Sequence, residues 1–101
     1  DNEDMLLPKG LILMRQGKVA EAYDYIERCK KMNRRNVMAF FYSAMIQDSQ
    51  KNYSAALDDL QTVIEQAPQF KQAYLLGAQV MKNSGNPEAA QKYMDYANQM
   101  R

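Results

Sequence analysis

Few residues in this chain could do covalent or metal chemistry. The sequence holds one Cys and no His, so neither a Cys–His nucleophile nor a zinc site built on those ligands is available. Asp58 and Asp59 are neighbours within a helical pattern, and adjacent side chains on a helix do not face each other. They cannot share a substrate, and the expectation for them is a solvated face. Cys29 falls at a packing position equivalent by spacing to Val63 and Ala97. It reads as a small buried hydrophobe rather than a reactive thiol. The segment SGNP at 84–87 does not match a phosphate-binding loop. No catalytic residue, cofactor or metal is implied.

The cations offer one further candidate, the run RCKKMNRR at 28–35. It lies at the end of a helical pattern, where positive charge complements the negative end of the helix dipole. A single-stranded nucleic-acid site interleaves basic residues with stacking aromatics, and this run has none. Charge is uneven along the chain. Residues 3–36 carry eight Lys/Arg against five acids, whereas 37–70 carry Lys51 alone against Asp48, Asp58, Asp59 and Glu65. The net charge of +1 gives no support to a nucleic-acid or anionic-membrane partner.

A length of 101 residues suits one small domain. With 47% hydrophobic and 25% charged residues, the composition is that of a soluble globular chain. No apolar run approaches the length that spans a bilayer, so direct membrane insertion is not expected. The opening DNEDMLLPKG is acidic where a signal peptide needs a basic region. A lone Cys makes no internal disulfide and fixes no compartment.

The elements that carry these residues emerge from a repeat. Ala22, Ala56 and Ala90 stand 34 residues apart, as do Gly10, Ala44 and Ala78, and Leu6, Phe40 and Tyr74. Ile26, Leu60 and Met94 keep the same interval, and Gly17 and Gly85 precede two of the Ala positions by equal distances. Each unit reads as two helices. In the second unit, Tyr53, Ala56, Leu57, Leu60, Val63 and Ile64 form one apolar stripe at helical spacing, and Pro68 ends it. The pattern predicts helices over 5–16, 19–32, 36–50, 53–66, 70–84 and 87–100. Pro8 predicts that the first helix starts late or bends. The small residues Gly10, Ala22, Ala44, Ala56, Ala78 and Ala90 let the paired helices approach closely, while the larger residues beside them fill the remaining space.

This pattern resembles the tetratricopeptide repeat, a 34-residue helix-turn-helix unit. In that register the units are 3–36, 37–70 and 71–101. Arg34 departs from the family, standing where Pro is usual, and the third unit stops short. The resemblance implies an all-α, right-handed solenoid. Such a stack leaves an apolar side for a neighbour at each end, and Tyr93, Met94, Tyr96, Ala97 and Met100 are more apolar surface than the preceding helices can cover. The expectation is a fragment of a longer array, or end-to-end self-association.

The resemblance also implies a protein or peptide partner on the concave face, lined by the first helix of each unit. The family's inward places fall on Asp4, Leu7, Leu11 and Met14, on Met38, Phe41, Met45 and Asp48, and on Gln72, Leu75, Gln79 and Lys82. The first two units thus offer a greasy strip, suited to an amphipathic helix or extended hydrophobic segment, and the third turns polar. Family members that grip an acidic chaperone tail use Lys, Asn and Arg where this chain has Leu7, Leu11, Tyr42, Gln72 and Leu76, so that mode is excluded. The run LDDLQTVIEQAPQFKQAYLLGA is similar to repeats of bacterial envelope and exopolysaccharide-export proteins, which implies a periplasmic or envelope-associated setting over a cytoplasmic one. Three functions compete: a binding scaffold, a structural spacer in a long array, and the repeat portion of a larger enzyme.

Overall fold

The computed structural model describes residues 3–100 and contains six helices among them. These are α1 (Glu3–Arg15), α2 (Val19–Met32), α3 (Val37–Ser49), α4 (Tyr53–Gln66), α5 (Lys71–Asn83) and α6 (Pro87–Asn98). Consecutive helices pair, and the three pairs stack in chain order into a body 41 Å long and 24 by 20 Å across. Every unit must bury one side of its pair against the next, so the core is a chain of linked clusters rather than one centre.

Each pair closes on small residues. Ala22, Ala44 and Ala56 are fully buried and Gly10 is buried, which brings α1 onto α2 and α3 onto α4. The largest cluster joins the second and third units through Phe40, Leu60, Val63, Leu76 and Val80. A second gathers Ala22, Ile26 and Ile46 where α3 covers the first pair. Ala90 departs from its equivalents. It is only half-buried, because among the described residues no helix lies against α6 as α3 lies against α2.

The turns between paired helices require a left-handed residue. Gly17 and Gly85 supply it at φ 78° and 87°, and Lys51 occupies the equivalent place at φ 66°. An L side chain there is strained by roughly 1–2 kcal/mol. Asn36 and Asn86 begin α3 and α6 by accepting the backbone N–H of Ala39 and Ala89, the standard N-cap bond.

The first helix does not start late. It runs from Glu3 and continues past Pro8 to Arg15. The proline removes one hydrogen bond, to the Asp4 carbonyl near the helix start, and its ring is exposed. Leu6 and Gly10, buried on either side of it, hold the helix in place by packing.

Candidate partner-binding groove

The proposed inner face comes from α1, α3 and α5, and α3 and α5 touch directly. On α3, Met38 and Met45 are exposed, and Leu75 follows on α5. Between them lies Phe41, half-buried, with its ring 5.6 Å from Tyr42 and 5.2 Å from Phe70. Leu7, Leu11 and Met14 are half-buried on α1, and Leu7 and Met14 pack onto the core clusters of the first unit. Met45 and Gln79 line a hollow of about 580 Å³ together with Asp48, Leu76 and Asn83. Leu75 and Gln79 also line a second hollow, about 510 Å³, between α5 and α6. Leu7, Leu11 and Met14 line neither hollow, so the strip is a surface and not one pocket.

Asp48 is not an open groove residue. It is 5% exposed, and it accepts from Gln79 Nε2 at 2.8 Å and Asn83 Nδ2 at 3.1 Å. Those partners stand 31 and 35 residues downstream. The carboxylate therefore fastens α3 to α5, and Gln79 spends its amide on that bond.

The expectation of a solvated Asp58–Asp59 face is half corrected. Asp58 is exposed, but Asp59 is 8% exposed and pairs with Lys30 Nζ at 2.9 Å. Lys30 also donates to Glu27 Oε1 at 2.9 Å and to Ser43 Oγ at 3.2 Å, and it lies 5.1 Å over the Phe40 ring. The Ser43 hydroxyl donates to Glu27 at 3.0 Å. Burial alone would push the Glu27 carboxyl up, but hydrogen bonds from Lys30, Ser43 and Tyr23 and the Lys30 charge outweigh it, leaving the group below its ordinary value. Burial likewise disfavours the Lys30 ammonium, yet its bonds to Glu27 and Asp59 hold it above its ordinary value. Lys30 is thus consumed inside the protein, which weakens the basic run further as a nucleic-acid site. Sequence reasoning missed this pair. The available signal was position: Asp59 stands 34 residues from Tyr25 and from Tyr93, at a packing place.

Cys29 is fully buried, accepts from Asn36 Nδ2 at 3.2 Å, and has its thiol pushed up mainly by burial. Among the described residues no group of three or more His, Cys, Asp or Glu could hold a metal ion, and no helix is long and apolar enough to cross a membrane.

Solved structures share this arrangement. YrrB, described as a TPR protein with an unusual peptide-binding site, superposes at TM-score 0.91 with 24% identity over 96% of this chain. MamA superposes at TM-score 0.91 with 19% identity over 97%, and a MamA double mutant at 0.86 with 23% over 95%. At that identity the likeness is one of fold. This chain spans about half the length of each, 50% to 54%. No curated protein matches the sequence. None of the matches supports an origin in envelope or exopolysaccharide-export proteins. Two family models described as tetratricopeptide repeat match residues 4–36 and 38–69, well over half of the chain between them. The units they match are the first two helix pairs of the structure, and the chain belongs to the tetratricopeptide-repeat family.

Proposed function

We propose that this chain is a non-catalytic scaffold that holds a helical or extended hydrophobic segment of another protein along α1, α3 and α5. The observation that carries the reading is the row Met38, Phe41, Met45 and Leu75. Its three aliphatic members are each more than a third exposed around an aromatic ring anchored from behind by Phe70. Flexible thioethers beside a fixed ring suit an apolar partner whose side chains vary. The buried acids support the non-catalytic part, since Asp48 and Asp59 are both spent on bonds within the protein. A protein of this fold, YrrB, is described as having a peptide-binding site, and that likeness adds weight to a peptide partner here.

The test is photo-crosslinking from position 45 in the native cells, with Met38→Glu as the control. Both side chains are exposed, so the fold should survive, as circular dichroism will check. Crosslinks to a separate protein that are lost in Met38→Glu are the expected result. Crosslinks confined to the chain itself would refute the reading.

A further inference from the structure

The two ends of the stack are complementary to each other. In both internal junctions the same three places on the incoming first helix are used. Ala39, Tyr42 and Ile46 cover the first pair, and Ala73, Leu76 and Val80 cover the second. The four aliphatic residues among them at the outer two places are buried to within 2%. Stepping back 34 residues, the equivalent places on α1 are Met5, Pro8 and Ile12. All three are exposed, Met5 at 48% and Ile12 at 53%.

At the other end, the hollow between α5 and α6 is floored by Ala78, Ala90 and Met94. These are the equivalents of Gly10, Ala22 and Ile26, and α3 covers the last two with Tyr42 and Ile46. One end therefore presents the knobs, and the other presents the seat that the same knobs fill twice inside the molecule. Two places differ: Pro8 is smaller than Tyr42 and Leu76, and Met5 is larger than the Ala at its place in the other units, though methionine adapts readily to an irregular space.

Charge agrees with shape. At the junction of the first two units Ser43 donates to Glu27. The place of Ser43 is Lys9 on α1, and the place of Glu27 is Asp95 on α6. Lys9 already lies 5.8 Å from the Tyr25 ring on this end face, and Asp95 is exposed, accepting only a same-helix bond from Gln91 among those resolved. A continued stack brings the ammonium against the carboxylate.

We propose that a second copy of this chain stacks head-to-tail on the first, with its Pro8 and Ile12 on the Ala78–Ala90–Met94 seat and its Lys9 paired with Asp95. The contact joins unlike faces and continues the stacking of the internal junctions, so association should run on into open chains that lengthen with concentration. The seat shares Leu75 and Gln79 with the groove, whereas Met38 and Phe41 lie outside both end faces.

Sedimentation of the full chain, from micromolar to millimolar, tests this. Species larger than a dimer should appear and grow with concentration. Ile12→Glu should weaken the association about tenfold or more, as buried carboxylates resist desolvation. K9E sets two carboxylates together and D95K sets two ammonium groups together, so each should weaken it, and the K9E/D95K double variant should restore it. Helical content of every variant is checked first, and Met38→Glu should associate as the parent does. A chain that stays monomeric throughout, whether because its seat is empty or because further units of its own polypeptide fill it, overturns the proposal. So does association that ignores Ile12→Glu, or a charge pair that is not rescued by the double variant.

Discussion

The junction between the first and second units and the junction between the second and third use the same backbone and opposite chemistry. At the first, Lys30, Ser43 and Asp59 form a buried ionic knot with Glu27. At the second, the same three places hold Ile64, Gly77 and Tyr93. Ile64 packs on the central cluster, and the Tyr93 ring lies against Gly77, where an added Cβ would come within 2.8 Å of it. Geometry is therefore set by the small residues and the helix lengths, which both junctions share. The side chains at the seam can be ionic or aromatic without changing the stack.

The difference can be broken from the ionic side with the largest effect. Lys30→Ala leaves Glu27 and Asp59 without their cation, and a half-buried pair of that kind should lose about 3 kcal/mol in urea unfolding. Replacing all four groups together, as Glu27→Gln and Lys30→Ile with Ser43→Gly and Asp59→Tyr, copies the second junction, where Gln61 stands at the Glu27 place, onto the first. It should recover most of that loss, because a packed apolar substitute commonly matches a buried ion pair. From the aromatic side, Gly77→Ala forces the Tyr93 ring aside, and thermal unfolding should report a loss of about 2 kcal/mol. The smallest change concerns the turns. Lys51→Gly gives the middle unit the residue its neighbours have at this φ, and should raise stability by about 1 kcal/mol.

Most of the fold was legible because it is local and repeated. A 34-residue interval held without a gap fixes helix number, and the helix ends fall within about two residues of the periodicity. The late start expected from Pro8 does not occur, because the packing of Leu6 and Gly10 on α2 outweighs the lost bond and the crowding of the ring against the Asp4 carbonyl. The exposed apolar row of Met38, Met45 and Leu75 was legible in the sequence, but its polar surroundings were not. Asp48 finds Gln79 and Asn83, and Lys30 finds Asp59, across 29 to 35 residues. Periodicity says which way a residue points, not whether a distant partner will meet it there. Ala90 differs from Ala56 for a related reason: its burial depends on a neighbour that its own spacing does not specify.

The single thiol described above has a use in timing. Cys29 is sealed inside the first unit, has no accessible surface, and belongs to a chain with no other cysteine. A repeat stack opens by parts, its end units fraying before its middle. A thiol reagent can therefore reach the sulfur only during the intervals when α1 or α3 lifts away from α2. The labelling rate of the native protein becomes a clock on that one unit, read against the global unfolding rate without any engineered probe.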